Sequence, residues 1–217
     1  MENTTYHIHL KGIVQGVGMR PAIQRFAMKW NLKGYVCNGT DGVHIEMNYQ
    51  KKKGLLLFEE IVKILPPNTK VSDYRVEELA FHPYTQFEIK DSLKGASCEL
   101  SLAPDYGLCP QCRKELQDPG SRRYRYPFTT CTQCGPRFSI QHSLPYDRSH
   151  TTMDHFTMCR PCETEYADTL DRRFYSQTNS CEDCGIHLTL TGPAGEEIAR
   201  GNSSALDLSK DLLQKGF

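Results

Sequence analysis

The stretch YHIHLKGIVQGVGMRPAIQRFAMKW, residues 6–30, changes its period halfway along. Up to Val14 it alternates. Ile8, Leu10 and Val14 fall on one face and His7, His9 and Lys11 on the other, the pattern of a half-buried strand. From Pro21 the spacing becomes helical, with Ile23, Phe26, Ala27 and Trp30 on one side. Pro21 stands at the helix start, where its missing N–H costs nothing. Residues 15–20, QGVGMR, are the turn between strand and helix. Consecutive N–H groups in such a turn can converge on one anion, and the helix N-terminus adds positive partial charge. Gly16 and Gly18 permit close backbone approach, and Arg20 can give two parallel hydrogen bonds to phosphate oxygens. The Gly-x-x-x-x-Gly-Lys spacing of a nucleotide-binding P-loop is absent.

Beyond the first helix, GYVCN and VHIEMNY flank GTDG, a hairpin signal. GLLLFEEIVKILPP reads as a second helix with Phe58, Ile61, Val62 and Leu65 on one face and Pro66–Pro67 as its stop. VSDYRVEELAF and TQFEI are weaker strand candidates. The order β-α-β-β-α-β predicts an α+β, ferredoxin-like domain over residues 1–90, with both helices on one face of an antiparallel sheet.

Composition shifts near KDSLKGAS, at the start of a linker expected over 91–108. Residues 1–90 hold one cysteine; residues 91–190 hold nine, eight of them in the Cys-x-x-Cys pairs CPQC, CTQC, CRPC and CEDC. Cys109, Cys112, Cys131 and Cys134 recur as Cys159, Cys162, Cys181 and Cys184, each displaced by 50. Arg122–Arg123 recur as Arg172–Arg173, Asp118 as Asp168 and Gly135 as Gly185, which marks a tandem duplication. Cys-x2-Cys-x18-Cys-x2-Cys is a zinc spacing. With no signal segment in MENTTYHIHLKG, metal ligation outweighs a disulfide framework. Two structural Zn2+ are therefore expected, in fingers spanning 109–134 and 159–184. Sequential pairing of knuckles makes each repeat self-sufficient, while crossed pairing would lock the repeats together; the spacing alone leaves both open. Cys37 and Cys98 read as buried small side chains, and His142, His150, His155 and His187 as surface or packing residues.

Charged residues balance at 26 Lys+Arg against 26 Asp+Glu, which implies no strongly basic partner-seeking surface. SRRYRYPF interleaves arginine with tyrosine as a nucleic-acid surface would, but eight thiolates around two Zn2+ make that half acidic. Partner contact or internal packing is the better reading, and no nucleic-acid or membrane partner is expected. No apolar run reaches about 18 residues, and the chain is read as cytoplasmic. The tail, 191–217, begins with the turn GPAG. It then suggests a helix over 204–215, capped by Ser203 or Ser204, closed by Gly216 and lacking an element to pack against. This is read as the truncated start of a following domain.

GIVQGVGMR followed by GYVCNGTDGVHIE resembles the two signatures of the acylphosphatase family, which has the ferredoxin-like fold. The resemblance implies that Gln15, Gly16, Val17, Gly18, Met19 and Arg20 bind the phosphoryl group and that Arg20 clamps it. It also implies that Asn38 positions the attacking water. The family usually has an aromatic where Met19 stands. Taken with RRYRYPF, CTQCGPRFSI, LPYDR and DRRF, the whole chain resembles the N-terminal part of the HypF family of hydrogenase maturation carbamoyltransferases. That implies hydrolysis of carbamoyl phosphate as the first step of carbamoyl transfer to a partner maturation protein, where the group becomes the cyanide ligand of a [NiFe]-hydrogenase. A non-catalytic zinc-finger adaptor binding protein partners is the alternative, and a nucleic-acid-binding zinc protein the third.

Overall fold

The computed structural model describes residues 2–93 and 103–216. Cys98 and half of the linker expected over 91–108 lie outside them.

Strand β1 (Asn3–Ile13) leads through the glycine turn into helix α1 (Met19–Lys29), which starts two residues before Pro21. Gly18, at φ 87°, caps it in place of a side chain. Strands β2 (Gly34–Gly39) and β3 (Gly42–Gln50) form the expected hairpin, closed by Thr40–Asp41. Helix α2 (Gly54–Lys63), strand β4 (Lys70–Leu79) and the short β5 (Phe87–Ile89) follow. The sheet order is β4-β1-β3-β2-β5. The first four strands make the ferredoxin-like βαββαβ unit, and β5 adds a fifth strand, parallel to β2. Both weaker candidates are strands, VSDYRVEELAF holding most of β4 and TQFEI holding β5, one strand more than the βαββαβ order counts.

Ile8, Leu10, Val36, Val43, Ile45 and Met47 of the sheet pack against Ile23, Phe26, Leu57 and Ile61 of the helices. Met19 also enters this core, at 2% exposure. The apolar face of α2 differs from expectation: Leu57 and Ile61 are buried, Phe58 and Leu65 half-buried, and Val62 is exposed. A helix with apolar residues at 55–58, 61, 62, 64 and 65 has more of them than one face can bury, so spacing did not fix its rotation.

The duplication is visible in the backbone. Helices α3 (Pro110–Gln117) and α4 (Arg160–Ala167) start one residue after Cys109 and Cys159, each with proline in the first turn. Arg125 and Tyr175, 50 apart, both adopt φ 57°. The repeats interlock by exchanging arginines. Arg123 from the first donates to Glu165 Oε1 at 2.9 Å, Ser180 O at 2.9 Å and Asn179 Oδ1 at 3.0 Å in the second. Arg173 reciprocates with Thr130 O at 3.0 Å and Glu115 Oε1 at 3.2 Å. Both arginines are 2% exposed, so within SRRYRYPF Arg123 and Tyr126 are internal packing while Arg122 and Tyr124 are exposed. Burial opposes ionisation of Glu165, but hydrogen bonds from Arg123 and Arg122 outweigh it and hold its carboxyl at about 2.

The tail corrects two expectations. A hairpin, β6 (Thr189–Thr191) and β7 (Glu197–Arg200), surrounds GPAG, and helix α5 (Asn202–Gln214) follows. The helix is capped by Gly201, since Asn202 turns its side chain inward to accept from Leu188 N and donate to Ile186 O. Nor is it unpartnered: Ala205 is buried, and Asp207 pairs with Arg125.

Candidate active site

Residues 14–18 leave β1 and wrap the N-terminus of α1. Gln15, 8% exposed, braces the turn, its Nε2 donating to Gly39 O at 2.7 Å and Gly42 O at 2.8 Å. Asn38, 1% exposed, sits near the end of β2 opposite Val43. Arg20 projects from the first turn of α1 and is 6% exposed. Gln15, Gly16, Gly18, Met19, Arg20 and Asn38 border one cavity of about 30 Å3. Val17 departs from that set and lines a separate groove with Arg25 and Arg172. Behind the site Cys37 is fully buried, and burial pushes its thiol up to about 11 despite Arg20 and Lys90 nearby; it is not a nucleophile at neutral pH.

The other wall of the cavity comes from the fingers. Arg20 Nη1 lies 2.6 Å from Asp147 Oδ1, and its Nη2 donates to Tyr146 O at 2.9 Å. Asn38 Nδ2 donates to the same carbonyl at 3.3 Å, and Tyr146 N donates to Gln15 Oε1 at 3.0 Å. The Tyr175 ring lies 4.9 Å from the Arg20 guanidinium carbon, and burial pushes its phenol up to about 12. Ser92 Oγ donates to the second Asp147 oxygen. The segment between the repeats thus places a carboxylate and a carbonyl on the arginine. Sequence reasoning missed this wall, although LPYDR contained it, because the contacts span 126 and 127 residues.

The two loop glycines serve this junction as well as the turn. Gly16 has φ 71° and Gly18 φ 87°. A Cβ on Gly16 would stand 2.8 Å from Pro136, and one on Gly18 3.3 Å from Thr132. Their permissive backbone admits the segment Cys131–Pro136 against the anion loop.

The cysteines group sequentially, 109/112/131/134 and 159/162/181/184, with all four sulfurs of each set within 4.8 Å of one another. Cys109–Cys131 sulfurs are 3.6 Å apart and Cys131–Cys134 3.8 Å; the corresponding pairs of the second set are 3.7 and 3.8 Å apart. A tetrahedral ion with Zn–S bonds of about 2.3 Å has sulfur edges of about 3.8 Å, whereas a disulfide needs about 2.05 Å. Each donor set therefore fits one Zn2+, with no position left for water. Arg172 Nη1 donates to Cys112 Sγ at 3.0 Å and Arg122 Nη2 to Cys162 Sγ at 3.3 Å, so each repeat also supplies positive charge to its neighbour's thiolates. Among the described residues no histidine joins either set.

A family model described as acylphosphatase matches residues 6–89, and one described as the HypF finger matches 108–141 and 158–191. An acylphosphatase of Bacillus pumilus is 38% identical over 87 residues, 39% of this chain and 96% of that protein. A carbamoyltransferase HypF of Synechocystis is 41% identical over 152 residues, 70% of this chain but 20% of that protein. A solved full-length HypF in the phosphate- and nucleotide-bound form superposes with TM-score 0.80 at 40% identity, covering 88% of this chain and 26% of that one. HypF of T. kodakarensis superposes with TM-score 0.80 at 36% identity, covering 99% and 27%. The chain thus spans about a fifth of the length of the curated carbamoyltransferases it matches. Over residues 6–89 the chain belongs to the acylphosphatase family, and beyond them it continues into the paired zinc fingers of the HypF carbamoyltransferases.

Proposed function

We propose that the cavity at Arg20 hydrolyses carbamoyl phosphate to carbamate and phosphate. This would be the first step of carbamoyl transfer to a partner maturation protein, for the cyanide ligand of a [NiFe]-hydrogenase. The reading rests on one observation: Arg20, Asn38 and the glycine turn converge on one cavity in a chain that joins an acylphosphatase domain to HypF fingers.

The amides at the start of α1 and the Arg20 guanidinium hold the phosphoryl oxygens and offset their charge as the P–O bond loosens. Asn38 holds water on the opposite side of phosphorus, in line with the departing carbamate. Water attacks phosphorus, the bond from phosphorus to the acyl oxygen breaks, and the electron pair leaves with carbamate. The dianion and water become carbamate and dihydrogen phosphate, so charge balances without a base. Asn38 is neutral and orients water; the good leaving group makes proton abstraction unnecessary. The two four-cysteine sets would each hold a Zn2+ closed to water, which would brace the fingers and supply no chemistry to this step.

Substrate binding exchanges Asp147 and the Tyr146 carbonyl for phosphoryl oxygens on Arg20. The same contacts favour the second reading, a non-catalytic adaptor, in which Asp147 stays on Arg20 permanently. Phosphate release from carbamoyl phosphate separates the two. Arg20→Ala should abolish release, and Asn38→Ala should lower kcat more than it weakens phosphate binding. In 18O-water the label should enter phosphate, not carbamate. Wild-type rates in both variants would end the proposal. Among the described residues no helix is long and apolar enough to cross a membrane, and the cytoplasm is the compartment proposed.

A further inference from the structure

The open face of the sheet carries a side-chain cluster that the phosphatase chemistry does not use. His9 of β1 pairs directly with His44 of β3. Their rings stack at 4.2 Å between centroids, 10° from parallel. Asp41, in the β2–β3 turn, faces both: its Oδ1 is 2.9 Å from His44 Nε2 and its Oδ2 3.4 Å from His9 Nε2. The three ligand atoms lie within 4.8 Å of one another, and both imidazoles are 14% exposed.

We propose that His9, His44 and Asp41 form a third metal site, for a divalent late first-row transition ion of the zinc class, with water completing the shell. Two imidazole nitrogens and one carboxylate oxygen are the donors such ions prefer, and Mg2+ or Ca2+ would want an all-oxygen set. Three protein ligands leave one tetrahedral position open, unlike the closed four-cysteine sets.

Three features point to an ion rather than to a cross-strand polar pair. First, both Nε2 atoms converge on one residue, His44 Nε2 at 2.9 Å from Asp41 Oδ1 and His9 Nε2 at 3.2 Å from the Asp41 carbonyl and 3.4 Å from Oδ2, where one cation would meet all three groups. Second, His44 is backed by a relay: its Nδ1 lies 3.1 Å from His7 Nε2, and His7 Nδ1 lies 4.0 Å from Glu77. With a metal on Nε2, the Nδ1–H of His44 donates to His7, and the Nδ1–H of His7 points to Glu77. That outer chain orients a ligating imidazole and raises its basicity. Third, the space is kept by a glycine: a Cβ on Gly39 would stand 2.8 Å from both Asp41 Oδ1 and His44 Nε2. The hairpin bearing this site also bears Asn38, and Gln15 bonds the carbonyls at both ends of its turn.

The test uses protein whose two four-cysteine sites are already zinc-filled, titrated with Zn2+ alone. Calorimetry should show one further equivalent, and 15N spectra of the imidazoles should shift Nε2 of His9 and His44. His44→Gln and His9→Gln should weaken the third equivalent by more than about 100-fold, and loss of the outer-shell His7 by His7→Gln about 10-fold. His155→Gln, remote from the cluster, should change nothing. All four substitutions are outside the sheet core, and two tightly held zinc ions per chain in the fingers verify folding. If one variant misfolds, Asp41→Asn provides the same loss. Uptake that stops at two equivalents at millimolar Zn2+, or a third equivalent with unchanged affinity in both His9→Gln and His44→Gln, would overturn the site.

Discussion

Exchanging Asp147 for asparagine removes the negative charge from Arg20 and keeps the side chain's shape. The pair it breaks is well enclosed, Arg20 being 6% and Asp147 18% exposed, with 2.6 Å between Nη1 and Oδ1. A hydrogen bond to a charged group contributes about 1.5–3 kcal/mol net. Phosphate must displace that bond before it can accept from Arg20. At about 1.4 kcal/mol per tenfold, releasing the competition should tighten inorganic phosphate by about 10- to 150-fold. Removing a carboxylate that repels the incoming dianion acts in the same direction. The cost falls on the empty protein. Arg20 is left with the Tyr146 carbonyl and the Tyr175 ring, and an under-paired buried charge destabilises by up to about 3–5 kcal/mol when solvent is fully excluded. Asp147→Asn should therefore melt below wild type without phosphate, yet gain more melting temperature when phosphate is added. Calorimetric titration with phosphate gives the affinity, and a melting series gives the second readout. Unchanged or weaker phosphate binding in a folded, zinc-replete variant would refute the competition. Asp147 would then be a partner that positions Arg20 for its ligand.

Three other outcomes follow from the same geometry. Chelating zinc should abolish amide-exchange protection over 109–184 and preserve it over 6–89, whose sheet-and-helix core contains no finger residue among the described ones; joint loss would show that the domains fold as one. Arg173→Met should destabilise the fingers more than Arg113→Met, because it strips Glu115 and Thr130 O of a buried partner; equal melting temperatures would deny the interlock. Burial, with His44 beside it, lowers the pKa of His9 below the usual 6.5, so the unfolded chain binds more protons. In metal-free buffer with both finger sites filled, stability should therefore decline as pH falls below about 6.5. His9→Gln should flatten that decline, and an identical pH profile would contradict it.

What the sequence made legible was local or periodic. The change of period at residues 14–21 gave strand, turn and helix, and GTDG gave the hairpin, because adjacent residues decide both. The 50-residue recurrence gave two four-cysteine sets for the same reason. Register and rotation were less accessible. His7 and His9 were placed on the outer face of β1, but His44 faces His9 only through the β1–β3 pairing, which neither strand encodes alone. The rotation of α2 depended on what it met, not on its own spacing. The lid on Arg20 needed tertiary information altogether. Tyr146 and Asp147 read as part of a family motif, and nothing in their neighbours says that they end on a guanidinium 127 positions earlier.

The duplication itself explains how a segment between two small modules can hold a carboxylate so firmly on Arg20. Neither repeat has enough apolar residues for a core of its own; among the described residues the first clusters only Leu108 around its cysteines. Each is completed by zinc and by the other's arginines, so the pair behaves as one frame. Arg148, next to Asp147, is tied into that frame by Gln177 O at 2.8 Å, Asn179 O at 3.1 Å and Phe156 O at 2.8 Å. Asn179 in turn bonds Cys162 O and accepts from Arg123 of the first repeat. A continuous set of bonds thus runs from the second cysteine set through Asn179 and Arg148 to Asp147 and Arg20, while Thr132 and Pro136, flanking the first set, meet the anion loop at Gly18 and Gly16. The repeats have diverged where their surroundings differ. At the shared φ of 57°, Arg125 turns to Asp207 of the C-terminal helix and Tyr175 covers Arg20. One ancestral module has become two sides of a frame, both bordering the Arg20 cavity, the first also pairing with α5 through Arg125. Holding Asp147 on Arg20 therefore draws on both four-cysteine sets, although neither set includes a residue that bonds Arg20.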